Sequence, residues 1–357
     1  MHKPADNEHY LPKRYFEIDN AFIAAHNWPA ALIDLALNRG AEEHTLLRGT
    51  GIFYADLLTG KQLLSPAQCL RLIDNIQHKV TSKDLSFLLG QRLYAGNQQM
   101  ANSALIHARD LREALDILCQ FQVQLAPLLS PKISYQDEKI IIYWLPNCSA
   151  LKPAQEIFLV EMMSSALNSL CRWLQGKQLP WTFYFRHTQP NYPEQYQVHL
   201  KSTTNFNSQH HAMAIAREHL HSIWQLHSPS TLARARLCAE QELIQLDFIQ
   251  GFVREVYEYL ARNINHNPNL ERTACDFAMS TASFKRKLQK HGTNFQAQYD
   301  DVRRDLALQW LHAPDITNEQ IATRLHFHDA ANLRRAFKKW TGLTPSATRN
   351  EFLLGQK

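Results

Sequence analysis

LERTACDFAMSTASFKRKLQKHG at residues 270–292 and IATRLHFHDAANLRRAFKKWTG at residues 321–342 are two approximate copies of one pattern. Each reads as a short helix, a tight turn and a second helix that ends at glycine. In the first copy Ala274 is small enough for two helices to cross closely, Phe277 packs beneath, and Ser280 is placed to cap the next helix by accepting backbone N–H bonds. Phe284, Leu288 and His291 then fall at i, i+4 and i+7 and face inward, while Lys285, Arg286 and Lys290 project elsewhere. In the second copy Asp329 is the cap, Leu333, Phe337 and Trp340 form the inward stripe, and Arg334, Arg335, Lys338 and Lys339 flank it. Gly292 and Gly342 supply the left-handed stop.

A helix that is apolar on one side and basic at its exposed start fits a DNA major groove, where Arg and Lys donate to guanine O6 and N7 or to phosphates. One copy alone is equally compatible with a helical bundle whose basic faces are merely solvated. Two copies, with Phe284 and Leu333 49 residues apart, favour a pair of DNA-reading units. The charge distribution agrees. Residues 250–357 hold 16 Lys and Arg against 11 Asp and Glu, whereas residues 1–249 hold 22 of each, so the whole net charge of +5 lies in the C-terminal part. A local basic excess is the electrostatic footprint of phosphate contact.

Residues 250–350 resemble the DNA-binding domain of the AraC/XylS family of bacterial transcription regulators. The most specific match is Ile321 and Ala322, then Arg334, Arg335, Ala336, Phe337, Lys338, Lys339, Trp340, Thr341, Gly342, Leu343, Thr344, Pro345, Ser346 and Arg349. The resemblance implies that a long helix over 295–311 joins the two units, with Tyr299, Val302, Leu306 and Trp310 on one face. Such a connector would hold both recognition helices on one side of the duplex, about one 34 Å turn apart. The expected DNA interface comprises Ser280, Thr281, Ser283, Lys285, Arg286 and Lys290 in the first unit and Ala330, Ala331, Asn332, Arg334, Arg335, Lys338 and Lys339 in the second. The family's base-contacting positions are similar to Ala282, Lys285, Arg286, Ala330, Ala331, Arg334 and Arg335. The alanines have no hydrogen-bonding side chain, so Arg286 and Arg335 are the expected base readers. Two positions depart from the family pattern: a turn glycine is His326 here, and a serine two positions later is His328.

Upstream, apolar residues recur at helical spacing over 18–92 (Leu32, Leu35 and Ala36, then Leu70, Ile73 and Ile76), with Ser65 and Pro66 marking a helix start. Residues 111–123 continue as an amphipathic helix. The period then changes: 132–145 and 181–187 are rich in Ile, Tyr, Trp and Phe and read as strands. A long helix at 154–174, closed by Gly176, lies between them. Residues 190–208 read as a loop, 212–226 as helical, and Ser228, Pro229 and Ser230 start a further helix through Leu246. The Leu- and Ile-rich stretches 105–129 and 157–174 read as core rather than as pocket walls. The N-terminal half resembles, more loosely and over about 20–225, the sensing domain of a subgroup that includes ornithine- and arginine-utilisation regulators. The matching residues are Leu89, Gly90, Gln91, Arg92 and Leu93, then Asp110, Leu111, Arg112, Glu113, Ala114 and Leu115, with Phe206 and Asn207. A glycine usual before the second segment is replaced around Met100 and Ala101.

The expected fold is mainly α: a mixed α+β N-terminal domain and an all-α C-terminal domain with two helix-turn-helix units joined by a long helix. Its expected division is an N-terminal tail at 1–17, an effector-sensing and dimerisation domain at 18–225, a linker helix at 226–249 and the DNA-binding domain at 250–357. The resemblance implies an effector-responsive activator that binds double-stranded promoter DNA, contacts RNA polymerase, takes a small-molecule effector and forms a homodimer. It implies no cofactor.

Other classes fit less well. The first sixteen residues carry Lys3, Asp6, Glu8, Lys13 and Arg14 without an apolar stretch, and do not read as a signal peptide. The longest apolar run, 140–145, is far short of a membrane span, so the expected location is the bacterial cytoplasm, at the nucleoid when bound to DNA. The six cysteines, at 69, 119, 148, 171, 238 and 275, form no C-x-x-C clip and read as reduced, mostly buried thiols. The close histidine pairs at 210 and 211, 219 and 221, and 326 and 328 read as surface residues rather than metal ligands. An alkyl-transfer enzyme with a zinc-bound cysteine and a DNA-binding tail is disfavoured by that cysteine spacing. No nucleophile elbow, HExxH helix or phosphate loop occurs, and Gly49, Thr50 and Gly51 do not make one. A ligand-independent regulator, controlled by abundance or by a protein partner, is disfavoured only by the size of the N-terminal domain.

Overall fold

The computed structural model describes residues 15–95, 99–147, 150–311 and 316–354, which fall into two compact units that divide between Phe252 and Val253. The first runs β1 (Tyr15–Phe16), β2 (Ile23–Ala24), α1 (Trp28–Leu37), α2 (Glu43–Leu47), α3 (Tyr54–Leu58), β3 (Leu63–Leu64), α4 (Pro66–Lys79), α5 (Leu85–Leu93), α6 (Met100–Ile106), α7 (Leu111–Gln120), α8 (Gln122–Leu125), β4 (Leu129–Tyr135), β5 (Lys139–Pro146), α9 (Pro153–Gln175), β6 (Thr182–Tyr184), α10 (Pro193–Leu200), β7 (Thr203–Asn205), β8 (Ala212–Ala216), α11 (Pro229–Leu246) and β9 (Gln250–Gly251). The second is built of helices among its described residues: α12 (Phe252–Arg262), a single 3-10 turn at Ile264–His266, α13 (Leu270–Asp276), α14 (Thr281–Lys290), α15 (Phe295–Leu311), α16 (Asn318–Arg324), α17 (Ala330–Thr341) and α18 (Pro345–Leu354).

Local chemistry sets several of these boundaries. Ser65 accepts from the Gln68 N–H while the Gln68 side chain returns to the Ser65 N–H, a reciprocal cap that starts α4. Asp110 caps α7 by accepting from the Glu113 N–H at 3.0 Å, and Gly176 in the left-handed conformation closes α9. α9 is buried nearly all round from Phe158 to Cys171, as befits the central helix of this unit. α5 crosses it at Gly90, where a Cβ would sit 2.2 Å from the Met162 carbonyl oxygen. The glycine of the 89–93 stretch is thus a close-approach residue.

A five-stranded sheet in the order β4-β5-β8-β6-β7, antiparallel except for β6 and β7, completes the unit. Ile140, Ile142 and Trp144 on β5 are buried in alternation with less buried neighbours, the period of two expected of a half-covered strand. A cavity of only about 10 Å³ lies beside Leu125, Leu129, Leu159 and Met162, which pack as core, whereas Val123 and Gln124 in the first stretch and Ala166, Ser169 and Leu170 in the second line larger cavities.

Three readings are corrected. The stretch 132–145 is a hairpin rather than one strand, because residues 136–138 turn the chain between β4 and β5. The expected loop at 190–208 contains α10, started by Pro193 at its first position, and β7. The expected helix at 212–226 begins instead with β8, whose Ala212 to Ile215 are all buried between β5 and β6. The segment expected as a linker, 226–249, contains α11, which buries Leu232, Ala235 and Ala239 within the first unit. Residues 1–14 of the expected tail, and Cys148, lie outside the described residues. Cys69 and Cys171 are buried, Cys119 and Cys238 half-buried and Cys275 exposed.

One buried carboxylate stands out in the first unit. Glu161 on α9 is 2% exposed and accepts from Ser86 Oγ at 2.6 Å, from Tyr192 Oη at 3.1 Å and from Tyr196 Oη. Burial pushes its carboxyl up to about 7, against the pull of those donors. The histidine pairs are engaged separately: His211 lies 3.4 Å from Glu156, His219 3.5 Å from Glu218 and His221 3.4 Å from Asp110. No helix among the described residues is long and apolar enough to cross a membrane.

Candidate nucleic-acid interface

The first repeat is assembled from caps and a small core. Asn269 caps α13 by accepting from the Arg272 N–H at 2.8 Å, and the helix buries Thr273 and Ala274. It closes with the Ala278 N–H on the Cys275 carbonyl and the Met279 N–H on the Ala274 carbonyl, which places Ala278 at φ 53°. Ser280 then caps α14, accepting from the Ser283 N–H at 3.2 Å. Phe277 and Phe284 meet with ring centroids 5.4 Å apart, and Leu288 and His291 are buried behind them. Ala282, Lys285, Arg286, Gln289 and Lys290 are exposed, while Thr281 and Ser283 are half-buried.

The second repeat follows the same construction. Thr317 and Gln320 cap α16 reciprocally, and Ile321, Ala322 and Leu325 are buried. The closing bonds are His326 N–H to the Thr323 carbonyl and Phe327 N–H to the Ala322 carbonyl, with His326 at φ 58°. Asp329 caps α17, accepting from the Asn332 N–H at 2.7 Å, and that bond holds its carboxyl below the usual range. Leu333 and Phe337 are buried, and the half-buried Trp340 packs on Phe327 at 5.9 Å. Ala331, Arg334, Arg335, Lys338 and Lys339 are exposed, Ala330 and Asn332 half-buried.

From the caps onward the repeats are in register: Ser280 matches Asp329, Phe284 matches Leu333 and Leu288 matches Phe337, each 49 residues apart. At 100° per residue the direction opposite the buried stripe holds Ala282 and Arg286 on α14, and Ala331 and Arg335 on α17, with Gln289 and Lys338 to one side of it. Lys285 and Lys290 flank the first set, Arg334 and Lys339 the second. Gln289, which is not among the residues expected to touch DNA, is exposed at the position that matches Lys338. Asn332 also acts on its neighbour: its Oδ1 accepts from Arg335 at 2.6 Å, which orients one of the two expected base readers.

The connector α15 spans the expected residues but not the expected face. Tyr299 and Val302 are buried as expected, whereas Leu306 and Trp310 are only half-buried. The buried set is Gln298, Tyr299 and Val302 in the first half and Ala307, Leu308 and Leu311 in the second. At 100° per residue these two sets lie on nearly opposite sides, so one helix serves different neighbours at its two ends. Tyr299 Oη donates to Asn267 at 3.1 Å, and Arg303 lies over the rings of Tyr299 and Phe327 at 4.1 and 4.7 Å while donating to the His326 carbonyl at 3.4 Å. His326 Nε2 in turn donates to the Ile264 carbonyl at 2.7 Å, tying the second turn back to the segment before α13. Arg349 donates to the Ile316 carbonyl at 2.7 Å.

A family described as the arabinose-binding N-terminal domain of AraC transcription regulators matches residues 40–222, half of the chain, and a helix-turn-helix domain family matches residues 274–351. The chain belongs to the AraC family of transcription regulators. It is a DNA-binding regulator with an effector-binding N-terminal domain, and not an enzyme. The ornithine utilization regulator of Pseudomonas aeruginosa is 27% identical over 321 residues, which cover 88% of this chain and 93% of that protein. The regulator GadX of Escherichia coli is 27% identical over 102 residues, 28% of this chain and 37% of its own. The crystal structure of the regulator CdpR from Pseudomonas aeruginosa superposes with a TM-score of 0.42 at 14% identity, over 91% of this chain and 98% of that one.

Proposed function

We propose that the protein is an effector-responsive activator that places α14 and α17 in two successive major-groove segments of promoter DNA. The observation that carries this reading is the register of the two outward faces, in which Arg286 and Arg335 occupy the same position opposite a buried stripe. Arg335 and Arg286 read base edges. Lys285, Lys290, Arg334, Lys338 and Lys339, with the polar residues at the helix starts (Ser280, Thr281, Ser283 and Asn332), contact phosphates, and Ala282, Ala330 and Ala331 let the helices approach the groove closely.

In this reading residues 18–225 sense the effector and form a homodimer, α11 carries the signal, residues 250–357 bind DNA, and the bound protein recruits RNA polymerase in the cytoplasm. The relative named as an ornithine utilization regulator makes amino-acid-derived metabolites the first effectors to test. The test is a genome-wide map of bound DNA for the chain and for its Arg286→Ala/Arg335→Ala variant. Discrete promoter peaks lost in the variant are expected. Peaks retained by a stably folded variant would refute the assignment of these two residues. For a base contact, Arg335→Ala alone costs about 1 to 3 kcal/mol and relaxes preference at one base pair.

A further inference from the structure

The first unit contains a cavity of about 260 Å³ between the start of α1, α8 and the C-terminal half of α11. Ile23 and Trp28 form apolar wall, while Asn27, Gln124, Glu242 and Gln245 are polar. Two of these polar groups are incompletely satisfied: Asn27 Nδ2 and Gln124 Oε1 are buried without a hydrogen-bond partner. Leaving a buried donor and acceptor unmade costs free energy that a ligand supplying the complementary groups would recover. Gln124 Nε2 donates to Glu242 Oε2 at 3.0 Å and to the Ala239 carbonyl at 3.3 Å, so α8 already holds α11 beside this space.

Glu242 is the one ionisable side chain on the walls among the described residues. Partial burial raises its carboxyl above the ordinary range, a cost that a neighbouring cation would offset. The volume equals roughly nine water molecules at their share of liquid volume, room for a molecule of about ten non-hydrogen atoms.

We propose that this cavity is the effector site and that it takes a small organic cation, an ammonium or guanidinium compound, with its charge on Glu242 and its remaining polar groups on Asn27 and Gln124. The proposal rests on the reading of the protein as effector-responsive and assigns that reading a place and a ligand class. An occupant bonded to both Asn27 and Glu242 ties α11 to the start of α1. α11 ends at Leu246, seven residues before the second unit begins at Val253, so occupancy is placed where the chain leaves the sensing unit.

The test titrates the full chain with linear diamines of three to five carbons and with L-ornithine, using succinate as a length-matched dianion, by calorimetry and thermal unfolding. The isosteric Glu242→Gln variant, which keeps an acceptor for Gln124, and Asn27→Ala are run alongside. At least one cation is expected to bind the native chain and raise its Tm, with Kd weakened tenfold or more in Glu242→Gln; Asn27→Ala is expected to weaken only L-ornithine, whose carboxylate supplies the acceptor that the Asn27 Nδ2 donor requires and the diamines lack. Succinate is expected to do neither. Equal binding to native and Glu242→Gln protein, or no binding of any cation at millimolar concentration, overturns the proposal. Promoter binding is measured on the same samples. A promoter response to succinate with none to cations would sink the cation site and leave the effector-responsive reading standing, whereas loss of promoter binding itself would count against that reading.

Discussion

Replacing Glu161 with glutamine should remove a pH dependence from the stability of the first unit. In the folded chain the Glu161 carboxyl titrates at about 7, against an ordinary glutamate value of 4.5, because burial outweighs the three hydroxyl donors. The folded state therefore holds the proton more tightly than the unfolded chain does. The stability linked to this group is fully present below pH 4.5, falls as pH rises, and stops falling once pH passes the folded value. From the two values, the loss between pH 5.5 and pH 8 comes to about 2 kcal/mol, and the limiting loss at high pH to about 3 kcal/mol. Urea unfolding followed by tryptophan emission reads this directly, since Trp28, Trp144, Trp181 and Trp224 are all buried in the first unit. Glutamine has its own constant cost, as it must find acceptors for its amide, so the decisive quantity is the slope with pH and not the absolute stability. The native chain is expected to lose about 2 kcal/mol more than Glu161→Gln across that interval. Tyr192→Phe removes one donor to the ionised form and should move the native transition to higher pH. Equal slopes for the native chain and Glu161→Gln would refute the reasoning, because they would mean that Glu161 is not the group that titrates.

Lys338→Ala/Lys339→Ala should lower the slope of log K against log salt by roughly 1.8 while leaving sequence preference unchanged, as two lost phosphate contacts require; a changed preference would place one of these lysines on a base edge. Ala278→Gly should stabilise the second unit by about 1 kcal/mol, since it relieves a Cβ at φ 53° in the turn between α13 and α14, and chemical denaturation checks it. Gly90→Ala should destabilise the first unit by at least 1 to 3 kcal/mol, an order-of-magnitude figure for overpacking, because its Cβ would fall 2.2 Å from the Met162 carbonyl oxygen on α9; a fully stable variant would show that α5 and α9 separate readily.

Helices α14 and α17 were legible because three independent signals coincide within a few residues of each: a cap, an apolar stripe and exposed cations. The exposed Gln289 went unremarked because it carries no charge, and only its place 49 residues before Lys338 marks it. β8 escaped for a different reason. Ala212, Met213, Ala214 and Ile215 are buried on both faces of a central strand, and such a run has no period to separate it from a helix. α10 was hidden by Pro193, which begins a helix as readily as it occupies a loop. The face of α15 could not be read as one stripe because its buried side changes halfway along. The cavity at Glu242 was out of reach altogether, since its walls come from segments more than two hundred residues apart in the chain.

Both turns share a feature that bears on how the two recognition helices are held. Each short helix closes with the same pair of backbone bonds, and each puts a residue other than glycine in the left-handed region, Ala278 in one and His326 in the other. Ala278 gains nothing visible in return. His326 does: its ring donates to the Ile264 carbonyl, beside the bond that Arg303, stacked on Phe327, makes to the main-chain carbonyl any residue would present there. Glycine would relax the backbone there and remove the ring that reaches Ile264. The departure from the family's glycine therefore exchanges local conformational ease for a tie between the second turn and the segment before α13. That tie constrains where α17 stands relative to α14 through a side chain that itself belongs to neither helix. In the proposed reading two groove segments are read at once, which requires a fixed offset between the two helices, so a bond that limits this offset bears on DNA binding without touching DNA.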